Sequence, residues 1–440
     1  MEQDHFEALY PDTARSTEIN ELLSFIHKGS SCQLLGIPGV SRSTLLGLLA
    51  HNKPLRKRHL GVKQKELHFV MANFSEIRKR PLLDAMKFLF LSLADSLRER
   101  GMTDDYRRVN EIFKESLAFS DELVLFQGLK EAIDYLALER KLTIVFMFDR
   151  FEEYIPTVTS EFFTNLRTLR NRAKYHFSII FSLNRPLESI LEPSLLADYY
   201  EFVAGNLVFV RLYDKQATDF RISYIEQITG KQLSKPVLKE ILRLTGGHGK
   251  LTKLAVEAVL AHGEKKESSF FLDRKSIQTA LLEIWNALSP AEQADLLAEK
   301  FEDEDIVAYF EQTGLLKDKT SGIPLFREFI LDRFTVPQIE KQHISFDQHT
   351  NTIKKGNVTL SDQLTSSEFR LLKYLLQNHG KVVEREELIN IVWQDNKSVA
   401  GITDQAVDQL IFRVRRKIEE DPNKPIHLET IKGRGFRFAP

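Results

Sequence analysis

The chain has 440 residues, 42% hydrophobic and 28% charged. That balance excludes disordered and fibrous classes, and the length calls for two to four domains. Lys+Arg 61 against Asp+Glu 62 leaves a net charge of -1, so affinity for nucleic acid has to come from a local basic patch, and the single cysteine, Cys32, excludes a disulfide framework or a cysteine-rich zinc site.

The first residues, Met1-Glu2-Gln3-Asp4, have neither the basic start nor the apolar core of a secretory signal. No run approaches the roughly 18 to 20 apolar residues of a membrane helix. A cytoplasmic, nucleoid-associated protein without a membrane partner is expected. From 1 to about 205, short apolar runs at 32–35, 67–71, 142–148 and 178–183 read as buried strands, separated by amphipathic stretches at 82–97 and 122–138. Strands spaced by helices predict a parallel α/β sheet covered on both faces. Residues 206–285 read as helical. A small segment at 286–340 begins with Ser289, Pro290 and Glu292, a capping-box start, and includes a possible hairpin at 314–326. Residues 341–440 open with alternating residues at 344–360, followed by helices and a glycine-containing hairpin. No internal repeat or low-complexity tract appears.

The loop Gly36-Ile37-Pro38-Gly39-Val40-Ser41-Arg42-Ser43-Thr44 follows a strand and opens a helix. Backbone N–H groups and a helix N-terminus converge on an anion in such a place. The pattern G-x-x-x-x-G-K-[ST] is met at Gly36 and Ser43, but Ser41 replaces the second glycine and Arg42 the lysine. A serine there brings a Cβ into the phosphate's approach, and arginine offers a planar fork instead of a compact ammonium. The strand 144–149 ends in Asp149, placed to hold Mg²⁺ with Ser43. Arg150 stands where a glutamate is usual, and Glu152 and Glu153 lie just beyond. Asp149 and Glu152 are the carboxylates available if the chain hydrolyses ATP.

Residues 1–285 resemble the STAND and origin-initiator branch of AAA+ ATPases. The stretch from Ala14 to Leu22 resembles the segment whose arginine, here Arg15, lies near the adenine. Phe181-Ser182-Leu183-Asn184-Arg185 resembles the strand-end sensor, which implies that Asn184 and Arg185 read the γ-phosphate. Residues 244–251, with Gly246-Gly247-His248-Gly249-Lys250, resemble the lid motif; Gly249 replaces a proline, and Lys250 or Lys253 would be the lid's phosphate sensor. The resemblance implies ATP or ADP with Mg²⁺ as cofactor. Since positioning and electrostatics carry phosphoryl transfer, the lost lysine and glutamate predict weak or absent hydrolysis.

The C-terminal segment carries a second set of signals. Thr365 and Glu368 form a capping-box pattern, and Val407, Ile411, Val414 and Ile418 make one inward stripe on a helix running from Thr403 to about Glu419. The opposite face presents Gln405, Gln409, Phe412, Arg413 and Arg416, with donors suited to base edges and phosphates. Residues 430–438 read as a hairpin with Arg434 at its tip. From 411 to 440 eight Lys/Arg face four Asp/Glu, a local excess of +4 in a neutral chain. The segment closely resembles the OmpR/PhoB family of winged helix-turn-helix effector domains, through its Leu-Thr-x-x-Glu-Phe helix, Val-Trp end, Thr-Asp-x-x-Val-Asp start, Arg-x-Arg-Arg-Lys and Gly-x-Gly-Phe-Arg-Phe close. That resemblance implies a recognition helix in the major groove, a wing in the minor groove, and contacts to double-stranded DNA from Trp393, Gln405, Arg413 and Arg415, with Thr430, Lys432 and Arg434 in the wing.

The expected architecture is therefore an α/β P-loop core (1–205), a helical lid (206–285), a winged-helix-like spacer (286–340) and a winged helix-turn-helix domain (341–440). The expected function is a DNA-binding transcription regulator under a degenerate nucleotide-binding module, assembling as a homo-oligomer on repeated half-sites or answering a protein signalling partner. Two other readings are an AAA+ machine for replication initiation or mobile-element handling, and a pseudo-ATPase scaffold binding DNA and a protein. Neither an H-E-x-x-H nor a G-x-S-x-G pattern occurs, which excludes those metalloenzymes and hydrolases.

Overall fold

A computed structural model describes residues 5–118, 121–263, 265, 267–318, 320–334, 344–348, 350–355, 358–393, 404–419, 421–422, 424–431 and 433–439, apart from the side chains of Val358, Asp362 and Gln405. The chain divides into two compact units, Met1–Ile330 and Leu331–Pro440.

In the first unit, β1 (Cys32–Leu35), β2 (Leu67–Asn73), β3 (Thr143–Asp149), β4 (Phe177–Leu183) and β5 (Leu207–Phe209) form a parallel sheet in the order β2-β3-β4-β1-β5. β1 and β4 are buried throughout, and β3 is buried from Ile144 to Asp149. Unbroken apolar runs suit strands covered on both faces. Leu35 pairs with both Leu183 and Phe209, and Asn73 with Asp149, so the strands' carboxyl ends form one edge. The chain leaves β1, next to the outer strand β5, to build β2 at the opposite side of the sheet. Ligands of open parallel sheets sit at such a reversal. Phenylalanines hold the edge from within: Phe181 meets Phe148 and Phe151 at ring-centroid distances of 5.3 and 5.2 Å.

The four expected strands appear within two residues at either end. The stretch expected to be helical over 122–138 is α-helical as Glu122–Asp134 and ends in one wider turn, Tyr135–Glu139. β5 has no counterpart in the sequence reading, because three residues give no periodicity to read, and it carries the sheet beyond residue 205. Among the helices that follow are Lys215–Thr229, Lys235–Thr245, Gly249–His262 and Lys275–Asn286. Ser289 and Glu292 do form a capping box, on helix Pro290–Ala298. The hairpin expected over 314–326 is shorter, β6 (Leu316–Lys317) with β7 (Thr320–Ser321), because Pro324 opens a helix, where its fixed φ suits the first turn. Residues 286–330 cluster with the α/β unit.

In the second unit, β8 (Ile344–Asp347), β9 (Thr352–Lys355) and β10 (Val358–Thr359) make an antiparallel sheet. Helices Ser366–Gln377, Arg385–Val392 and Asp404–Ile418 follow, then a sheet of β11 (Val382–Val383), β13 (Gly435–Phe438) and β12 (Leu428–Ile431). Thr365 and Glu368 complete the first helix's capping box. Val407, Ile411, Val414 and Ile418 are all buried in one core with Leu371, Leu375 and Phe436. Helices followed by a β12/β13 hairpin make this unit a winged helix.

Candidate nucleotide cavity and nucleic-acid face

At the carboxyl edge of the parallel sheet lies a cavity of about 880 Å³, within the range of small-molecule sites. The loop after β1 enters helix Arg42–His51 through Gly39 at φ +83° and Ser41 at φ +79°. This left-handed turn is available to glycine and strained for serine. Ser41 makes no side-chain cap, so backbone N–H groups of the first turn are left for an anion. Of the residues singled out in the sequence, Arg15, Gly39, Ser41, Arg42, Ser43 and Thr44 line the cavity, as do Glu152, Asn184 and Lys250; Gly36, Asp149 and Arg185 do not.

Arg42, at the lysine position, is engaged: its Nη2 donates to Glu152 Oε1 at 2.8 Å and to Asn184 Oδ1 at 2.7 Å. Its buried Nη1 has no partner, and neither do Asp149 Oδ1 and Glu152 Oε2. Arg15, 5% exposed, donates to Arg211 O at 2.6 Å, to Glu18 Oε1 at 3.1 Å and to Val40 O at 3.3 Å, bracing the loop. Lys250 ends at Glu283 at 2.6 Å, and Lys253 at Glu257 at 3.7 Å. Arg185 turns away from the cavity. Both its terminal nitrogens bond Glu292, and its guanidinium lies 4.7 Å over the ring of Tyr309, whose hydroxyl donates to Asn184 O. The expectation that Arg185 faces a phosphate therefore meets a different geometry: the carboxylate of Glu292, on the next segment, holds it.

The lid closes directly on the loop. His248 Nε2 donates to Pro38 O at 2.8 Å, its Nδ1 accepts from Leu251 N at 3.2 Å, and Lys250 N donates to Gly39 O at 3.0 Å. Burial pushes the His248 imidazole down to about 4, which keeps it in the neutral form that those two bonds require. Sequence reasoning gave no role to His248 or to the wall formed by Tyr10, Arg221, Ile222 and Ile225. Arg221 Nε donates to Tyr10 Oη at 2.9 Å across 211 residues of sequence, a pairing that no local pattern signals.

Asp149 Oδ1 and Arg42 Nη1 are a carboxylate oxygen and a guanidinium nitrogen without partners beside the helix-capped cavity. They fit a Mg²⁺–nucleotide: Ser43 and Asp149 would hold the cation, and Arg42 and the loop N–H groups the phosphates. The cation would supply charge neutralisation on the phosphates.

In the second unit, Gln409, Arg413 and Arg416 are exposed on helix Asp404–Ile418, beside the 45% exposed Phe412. Arg434 is exposed at the hairpin turn next to Gly433, at φ +75°. Arg415 is placed differently from expectation: it donates to Leu428 O at 2.6 Å and Thr430 Oγ1 at 2.8 Å, fastening β12 to the helix. Burial lowers its pKa. Trp393 is half-buried and packs against the core instead of standing on the exposed face. Thr430 is exposed and bonded to Arg415. Lys432 and the side chain of Gln405 lie outside the described residues.

Residues 361–438 match the family described as "Transcriptional regulatory protein, C terminal". This segment is an OmpR/PhoB-type winged helix domain. The chain is 38% identical over 93 residues to Protein PetR of Rhodobacter capsulatus, covering 20% of this chain and 39% of PetR. It is 43% identical over 92 residues to the sensory transduction protein RegX3 of Mycolicibacterium smegmatis, covering 21% of this chain and 37% of that protein. The chain thus spans less than two-fifths of the length of these curated relatives. A Walker-type ATPase of Pyrococcus abyssi aligns over 74% of this chain and 99% of its own, at 16% identity and TM-score 0.44. Among the described residues no helix is long and apolar enough to cross a membrane.

Proposed function

We propose that this chain is a transcription regulator that binds double-stranded DNA through its OmpR/PhoB-type domain and is governed by a nucleotide held, with little or no turnover, in the cavity of its α/β unit. The exposed Gln409–Arg413–Arg416 face on a helix of that domain carries the DNA half of the reading. Phosphate contacts give affinity, and base-edge donors give sequence choice. The unpartnered Asp149 Oδ1 and Arg42 Nη1 beside the cavity support the nucleotide half. Glu152 is tied to Arg42, and Glu153 to Arg78 and Arg150, so the carboxylates lining the cavity are poorly placed to activate water, which argues for slow hydrolysis and against an AAA+ machine. Assembly on repeated half-sites would couple the two units.

The test is selection of bound fragments from genomic DNA by the full chain, with and without ATP analogues, against an R413A/R416A variant. Enriched sites lost in the variant support the DNA half; equal capture by both proteins rejects it. Titration with ATP and ADP, using D149A as control, addresses the nucleotide half. The scaffold reading, without nucleotide, is favoured by the lid's seating on Pro38 and Gly39. Mass spectrometry of the purified protein separates it: co-purified nucleotide excludes it.

A further inference from the structure

Away from the cavity and the basic helix, three donor side chains from three separate elements meet. His5 precedes the turn Phe6–Leu9, His51 ends helix Arg42–His51, and Glu99 ends helix Leu82–Glu99. One ligand atom of each lies within 4.8 Å of the other two. The two imidazoles stack with centroids 3.5 Å apart and planes 10° from parallel, and His5 Nε2 stands 3.9 Å from Glu99 Oε2. Among the described residues neither imidazole makes a hydrogen bond. A structural histidine usually fixes its ring with such a bond, as His248 does with Pro38. These two rings and a carboxylate instead gather, without such a bond, at the carboxyl ends of two helices. Helix ends of that polarity favour a cation. Arg56 already takes the Leu49 and Ala50 carbonyls of the first helix, so the three side chains carry the site.

We propose that His5, His51 and Glu99 bind one Zn²⁺, with two imidazole nitrogens and one carboxylate oxygen as protein ligands and water completing the shell. Two nitrogens and one oxygen suit zinc; magnesium and calcium prefer all-oxygen sets. Ligand bonds of about 2.0–2.2 Å put tetrahedral donors roughly 3.3–3.6 Å apart, so the cluster closes by about an ångström and one stacked ring tilts to aim its lone pair. The ion would pin the N-terminal segment to the helix that starts at the phosphate loop. That segment already leans there: a Cβ on Gly47 would lie 2.7 Å from Glu7 Cγ, and Asn52 Nδ2 donates to Glu7 O and Tyr10 O at 3.0 and 2.9 Å. Tyr10 is part of the cavity wall, so zinc would stiffen one side of the cavity without entering it.

The experiment uses the full chain without a histidine tag. Co²⁺ is titrated first for its visible absorption, then Zn²⁺ by calorimetry, with far-UV circular dichroism confirming that each variant is folded. One equivalent should bind. H5A and H51A should each weaken binding by more than roughly 100-fold, above the cost of losing an outer-shell partner, and E99Q by roughly 10-fold. H5A keeps the test independent of folding, since His5 lies outside every helix and strand. Absence of a saturable single site, or unchanged binding in H5A and H51A, overturns the proposal. The result is separate from nucleotide binding, because no cavity residue is altered.

Discussion

The hydroxyl of Ser41 occupies the space that a side chain on Gly249 would need: a Cβ at Gly249 would lie 2.1 Å from Ser41 Oγ and 3.3 Å from Gly39 O. Two departures from the ATPase pattern, a serine for glycine in the loop and a glycine for proline in the lid, are therefore one steric exchange. Gly249→Ala should cost about 1 kcal/mol, because the serine can rotate but the Gly39 carbonyl must give. Ser41→Gly relieves a left-handed serine and empties the space. In the double variant most of the loss should return, with a coupling of at least about 0.5 kcal/mol. Urea unfolding of the four proteins measures it, and strict additivity would contradict the exchange. Ser41→Gly should also tighten ATP roughly fivefold, about 1 kcal/mol, since the side chain standing in the phosphate's approach is removed.

Acid should loosen the lid through His248. Its folded-state pKa lies near 4, below the ordinary 6.5, because the ring is buried and Lys250 and Arg15 are near. The unfolded chain therefore binds the proton first. The stability this histidine permits is whole above pH 6.5, declines as pH falls, and levels off below about 4, a total of about 3 kcal/mol. Protonating Nδ1 also breaks its cap on Leu251 N. His248→Gln keeps a donor and an acceptor, so it should lose far less stability between pH 7 and 4.5 than the parent. His68, pushed to about 3 by burial and Arg100, adds a similar decline that this variant leaves in place. Equal pH dependence in parent and variant would assign the acid sensitivity elsewhere.

How much of this was legible in the chain follows from where the determinants lie. Continuous apolar strands, the two capping boxes and the Val407–Ile418 stripe are local signals, and the elements formed where they indicated. Residue types at the phosphate loop were also legible, but their engagements were not. Arg42 meets Glu152 and Asn184 across 110 and 142 residues, and Arg185 meets Glu292 across 107. Whether a cation faces a cavity or a carboxylate depends on packing that no periodicity encodes. Arg415 shows the same on a small scale: it shares a helix with Arg413 and Arg416, and a turn of about 100° per residue sends it to β12 instead of solvent.

The three arginines of that helix should consequently behave differently. Arg413→Ala and Arg416→Ala remove exposed cations and should each flatten the dependence of log Kd on log salt by about 1, leaving thermal stability within about 0.5 kcal/mol of the parent. Arg415→Ala strips the Leu428 carbonyl and Thr430 hydroxyl of their donor, so it should cost about 1–2 kcal/mol in unfolding and weaken DNA binding through the wing. Fluorescence anisotropy across a salt series, with melting curves on the same samples, distinguishes the two classes. An Arg415 variant with parental stability would show that the wing stands without this brace.

The pair between Arg185 and Glu292 links the end of β4 to the segment after the lid. Glu292, 5% exposed, also accepts from Ser289 N at 2.8 Å, so one carboxylate both caps helix Pro290–Ala298 and holds the arginine. Glu292→Ala removes both contacts and should destabilise by about 2–3 kcal/mol, toward the lower end for a broken buried pair because Arg185 keeps 22% exposure. Glu292→Gln keeps the cap acceptor but not the charge, and should cost about 1 kcal/mol. The released guanidinium sits next to Asn184, which lines the cavity, so Glu292→Gln should bind ATP more tightly relative to ADP than the parent does. Adding Arg185→Ala should cancel that gain if the arginine is its source. An ATP/ADP preference identical in parent, E292Q and the double variant would confine Arg185 to holding residues 286–330 against the sheet, with no part in reading the nucleotide.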